Sequence, residues 1–76
     1  MLRTYIKFEN QTEGMKAKSL LAEKGINSAL RRNPNPDRKE GCNYALFVFG
    51  DVYSAFDIIS VKGIRNLGVE SFREGL

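Results

Sequence analysis

The residue in this chain best suited to covalent chemistry is Cys42, the only cysteine among 76 residues. It lies in Gly41-Cys42-Asn43-Tyr44-Ala45-Leu46, where the sequence changes character within a few positions. Residues 32–41 hold both prolines and five charges, whereas residues 44–49 read Tyr-Ala-Leu-Phe-Val-Phe and carry none. A thiol at such a boundary can be held by the core and still be reached from solvent. Its chemistry would be that of the thiolate, the form that attacks electrophiles. Arg38 and Lys39 lie close enough in sequence to favour that anion, and Glu40 opposes it. Free cysteine is also a common filler of small holes in cores. The residues alone therefore leave two roles open, a reactive thiol and a packed one.

Other chemistries are restricted by what is missing. Without histidine the chain lacks the commonest general base and the commonest metal ligand. A single cysteine forms no disulfide within the chain and no cysteine-based zinc site, so no metal and no cofactor are expected. The pairs Asp51 with Asp57 and Glu70 with Glu74 read as caps and surface charge. The seven glycines are dispersed singly, so no phosphate-cradling loop is present. At this length one domain over 1–76 must spend most of its apolar residues on a core, which leaves little room for a self-contained active site.

The balance of twelve basic against nine acidic residues gives a net charge of +3, which permits an anionic partner without demanding one. No apolar run is long enough to span a bilayer, and the first nine residues alternate instead of forming a leader's apolar block. The lone thiol and the missing leader predict a cytoplasmic protein, with no membrane partner.

Elements that would position Cys42 follow from periodicity. Leu2, Thr4, Ile6 and Phe8 alternate with Arg3, Tyr5 and Lys7, predicting a first strand over 2–8. Asn10 can cap a helix, with Glu13 reaching back to complete a capping box. That helix should run to about Lys24, burying Gly14, Ala17, Leu20 and Leu21, with Gly25 as its stop. Ile26, Ser28 and Leu30 alternate with Asn27, Ala29 and Arg31 in a second, less apolar strand, expected at an edge. Its end is set by Pro34 and Pro36. The loop from Arg32 to Gly41 follows.

Asn43 to Phe49 predicts a central strand that is apolar on both faces. Asp51 caps a second helix whose core stripe is Val52, Ala55, Phe56 and Ile59. Either Gly63 or Gly68 can end this region, and the preferred last strand is 69–72, with 64–67 as the alternative. Lys24-Gly25-Ile26-Asn27 is echoed by Lys62-Gly63-Ile64-Arg65, a hint of repetition between halves. The predicted fold is a ferredoxin-like βαββαβ α+β sandwich: one four-stranded antiparallel sheet, strands 1 and 3 central, both helices on one face and the other face open.

The chain resembles the small bacterial selenium/sulfur carrier-like domains, over essentially its whole length. The resemblance lies in Tyr5-Ile6-Lys7-Phe8, in Ala17-x-x-Leu20-Leu21 followed by Lys24-Gly25-Ile26, and above all in Gly41-Cys42-Asn43-Tyr44-Ala45-Leu46. That family typically has glycine after the cysteine, where this chain has Asn43. It often has a small or hydroxyl residue before the cysteine, where this chain has Gly41. The resemblance implies that Cys42 holds sulfur or selenium as a persulfide or selenosulfide and passes it to a partner enzyme. Gly41 and Asn43 would shape the turn, and Arg38 and Lys39 would stabilise the anion or dock the partner.

A different class of function would use the open sheet face. Tyr5 with Tyr44 or Phe47 could stack single-stranded bases, as in RNA-binding domains of this fold. The residues around Gly41 match the strand-3 signature of such domains poorly, with Glu40, Cys42 and Asn43 where a basic, an aromatic and a small residue belong. Low net charge adds little phosphate attraction, so nucleic acid is disfavoured. The same face could instead bury itself in a homodimer.

Overall fold

A computed structural model describes residues 2–32 and 43–73. Its elements, in chain order, are β1 (Leu2–Phe8), α1 (Gln11–Glu23), β2 (Ser28–Arg32), β3 (Tyr44–Val48), α2 (Val52–Val61) and β4 (Val69–Arg73). The strands form one antiparallel sheet in the order β2-β3-β1-β4. β1 and β3 are therefore central and β2 lies at an edge. This is the ferredoxin-like α+β arrangement, with the last strand after Gly68 and not after Gly63.

Alternation along the strands separates two apolar clusters. Ile6 and Phe8 of β1 and Leu46 of β3 join Ala17 and Leu21 of α1 and Ala55 and Ile59 of α2 in one core, each with no exposed surface. Tyr44, Val48, Leu30 and Val69 extend it across the sheet. Both helices thus cover the same face. Gly14 allows α1 to lie close to β2, since a Cβ there would come 2.7 Å from Leu30 Cδ1.

The face expected to be open is not bare at its centre. Tyr5 and Ala45 are fully buried, and Phe47 keeps 8% of its surface. Alternation along β1 assigns Tyr5 to the face away from the helices, and of the two β3 aromatics left open it is Phe47, not Tyr44, that joins it. Alternation carries no information about what else packs there.

Both helices begin and end by local chemistry. Asn10 Oδ1 accepts from the Glu13 amide at 2.9 Å. The other half of the expected capping box is replaced, because the Glu13 carboxylate faces Lys16 Nζ at 3.6 Å. Gly25 (φ +80°) and Gly63 (φ +77°) supply the left-handed residue after each helix. The next amide then folds back, Ile26 to the Leu21 carbonyl at 2.8 Å and Ile64 to the Ile59 carbonyl at 3.2 Å. The echoed Lys-Gly-Ile is thus a shared helix stop that turns each isoleucine onto the core. It also explains why β2 starts at Ser28 and not at Ile26, whose amide is committed to α1.

Asp51 caps α2, accepting from the amides of Tyr53 at 3.1 Å and Ser54 at 3.4 Å and from Ser54 Oγ at 2.8 Å. The Ser54 hydroxyl, then the Ser54 and Tyr53 amides, hold its carboxyl below the ordinary aspartate pKa. A folded pKa below the unfolded one stabilises the fold fully above the unfolded value and loses that stabilisation as pH falls through the folded value. Asp51→Asn, which can still cap, should therefore melt near the native temperature at neutral pH and show a shallower acid-induced fall in Tm. Asp51→Ala should lower Tm already at neutral pH. Thermal melts across the acid range check both.

Candidate functional site

The site read from the sequence centres on the entry to β3. Of its residues, Cys42, Gly41, Arg38 and Lys39 lie outside the described residues, and Asn43 lies within them. Asn43 is tied to the end of β1 at two points. Its backbone amide donates to the Phe8 carbonyl at 3.1 Å, and its side-chain Nδ2 donates to the Glu9 carbonyl at 2.9 Å. The first bond falls one residue out of the β1/β3 register, in which Phe8 is already opposite Tyr44, so it closes the end of the ladder instead of extending it. The second uses a side-chain donor that glycine lacks. Asn43, the residue following Cys42, is therefore tied to the end of a central strand, and its φ is not positive.

The β2/β3 register adds two residues that sequence reasoning missed. Arg32 pairs with Tyr44 and Arg31 with Ala45, so both arginines stand beside the first residues of β3. Both are exposed. Arg32 precedes Cys42 by ten positions and Arg31 by eleven, and both are brought to this end of β3 by strand pairing. The alternation of β2 and β3, followed out from the loop, is the one signal that could have pointed to them.

The three aromatics proposed for the sheet face are not brought together. Tyr5 and Phe47 are direct cross-strand partners with ring centroids 5.5 Å apart and planes at 49°. Tyr44 lies on the opposite face, against the helix-covered core. Stacking needs an exposed ring face, and Tyr5 offers none while Phe47 offers 8%.

Beside that aromatic pair is a polar clasp between the two strands. Glu70, opposite Tyr5 on β4, accepts from the Tyr5 hydroxyl at 3.1 Å and from Lys7 Nζ at 3.2 Å. The Lys7 and Glu70 side chains are only 11% and 15% exposed, so their attraction is less screened than that of a surface pair. Glu70→Ala should cost about 1–3 kcal/mol by removing an acceptor shared by two donors. The double change Lys7→Met, Glu70→Leu should cost less than the single one. Urea denaturation of both variants beside the native chain checks this, and a neutral Glu70→Ala would show the clasp to be without consequence.

Among the described residues no group of three or more His, Cys, Asp or Glu side chains could hold a metal ion. No helix among them is long and apolar enough to cross a membrane. In comparisons with known proteins, no family model, no curated protein and no solved structure matches this chain.

Proposed function

We propose that this chain is a carrier of sulfur or selenium, with Cys42 as the thiol that receives the atom and a sulfur- or selenium-handling enzyme as its partner. The observation that carries the reading is the double anchorage of Asn43 to the end of β1. A carrier thiol must keep its position relative to the domain surface that its partner docks on, and a tethered neighbour in the chain serves that need. The solitary cysteine suits the role, because no second thiol in the chain can resolve a persulfide into an internal disulfide.

The chemistry is an exchange that needs no further oxidant. The Cys42 thiolate attacks the terminal atom of a donor persulfide, R–S–SH, or its selenium counterpart, R–S–SeH. A new bond forms from the Cys42 sulfur to that atom, the donor's S–S or S–Se bond breaks, and the donor leaves as its thiolate, R–S⁻. Delivery reverses the roles: a nucleophile of the recipient takes the terminal atom, and Cys42 departs as thiolate. A reducing cytoplasm would keep the thiol ready between cycles. Exposed Arg31 and Arg32 join Arg38 and Lys39 as cations available for an acidic partner or for the anion itself.

Intact-mass measurement after incubation with a low-molecular-weight persulfide tests the reading. The expected result is a gain of one sulfur atom that a reductant removes, together with alkylation of Cys42 faster in the folded chain than in urea. An unmodified chain whose thiol reacts no faster folded than unfolded would overturn it.

A further inference from the structure

We propose that the cavity between the β1–α1 junction and the α2–β4 connection binds a small zwitterion with the charge pattern of a free α-amino acid. The cavity, about 120 Å³, is lined by Glu9, Asn10 and Glu13 from the β1–α1 junction and by Arg65, Asn66 and Leu67 from the α2–β4 connection. Two acidic residues and one arginine thus line the same space. Among the described residues, Arg65 and Glu9 form no ion pair. Glu13 has only Lys16, at 3.6 Å and with its side chain 61% exposed, a contact worth little in water.

The side-chain amides take part in the local fold. Asn10 Oδ1 caps α1, while Asn66 Nδ2 donates to the Ile64 carbonyl at 3.2 Å and its Oδ1 accepts from the Gly68 amide at 3.0 Å. They fix the walls and leave Glu9, Glu13 and Arg65 to meet a ligand. The Arg65 wall is also held to the sheet, because the Leu67 amide donates to the Lys7 carbonyl and the Lys7 amide to the Gly68 carbonyl, each at 2.8 Å.

This arrangement selects by charge. A simple anion would meet Arg65 but also two carboxylates, and a simple cation would meet the reverse conflict. A molecule with an ammonium and a carboxylate a few bonds apart satisfies both sides. The volume of about 120 Å³ suits a molecule of the size of an amino acid with a small side chain. Leu67, 38% exposed, gives that side chain an apolar surface.

The test is titration of the ¹⁵N-labelled chain with L-alanine, followed by amide shifts. Saturable shifts are expected at Glu9, Asn10, Arg65, Asn66 and Leu67. L-alanine methyl ester, which lacks the anion, and N-acetyl-L-alanine, which lacks the cation, should each bind about tenfold more weakly, the loss of one charge-assisted contact. Arg65→Gln should weaken L-alanine by a similar factor and abolish its advantage over the ester, and Glu9→Gln should reduce its advantage over the N-acetyl compound. No saturable shift, shifts scattered over the surface, or equal binding of the three compounds overturns the proposal. Cys42→Ser should bind L-alanine as the native chain does, so this result and the carrier reading stand or fall separately.

Discussion

Phe8→Ala should leave a chain that is largely unfolded in urea concentrations the native protein withstands. Phe8 is the last residue of β1, fully buried, and packs in the same cluster as Ile6, Leu46 and the inward residues of both helices. Truncating a buried phenylalanine costs about 3–5 kcal/mol, from lost transfer energy and from the cavity left behind. At ~0.05–0.15 kcal/mol per residue, a chain of this length has roughly 4–11 kcal/mol of stability in total, so this one change can consume most of it. Its carbonyl is also the acceptor for the Asn43 amide, so disorder at the end of β1 would release the entry to β3. Val61→Ala is the matched control: Val61 is 86% exposed, and its truncation should change stability by about 0.5 kcal/mol or less. Urea denaturation followed by circular dichroism decides the matter. A loss below about 1 kcal/mol for Phe8→Ala would mean that the core closes over the gap, contrary to the packing described.

The parts of this fold that depend on neighbours in sequence are legible in the residues themselves. The alternation of Leu2–Phe8, the Asn10 and Asp51 caps and the Gly25 stop each involve residues a few positions apart, and each forms as the residue types require. The β2 boundary is less legible, because Ile26 fits the strand's alternation yet its amide serves the end of α1. Burial of Tyr5 and Phe47 is a further step removed. A period of two assigns them to one face but cannot say whether that face is wet. The tie from Asn43 to the Glu9 carbonyl joins residues 34 apart, and no local rule anticipates it. For the same reason the sequence points to Arg38 and Lys39 and passes over Arg31 and Arg32. Distance along the chain stands in for distance in space, and antiparallel pairing of β2 with β3 breaks that equivalence.

Cys42→Ser should abolish sulfur capture completely while leaving the fold intact. Serine presents a hydroxyl that remains protonated at neutral pH where a thiol begins to ionise, and the oxygen has little tendency to take sulfur from a donor. If Cys42 is the carrier, the mass gain seen in the native chain disappears in the variant, and the urea midpoint moves little because a reachable thiol contributes little packing. If Cys42 is instead a small core filler, the pattern inverts. The native chain then takes up no sulfur and resists alkylation until unfolded, while Cys42→Ser is destabilised by burying a hydroxyl without an assured partner. Cys42→Ala separates the remaining cases, since alanine removes the nucleophile without adding a polar atom. A carrier loses capture equally in both variants at unchanged stability, whereas a core residue tolerates alanine better than serine. The contrast places the two roles that the residues leave open on one pair of measurements, mass and midpoint, in which they predict opposite outcomes.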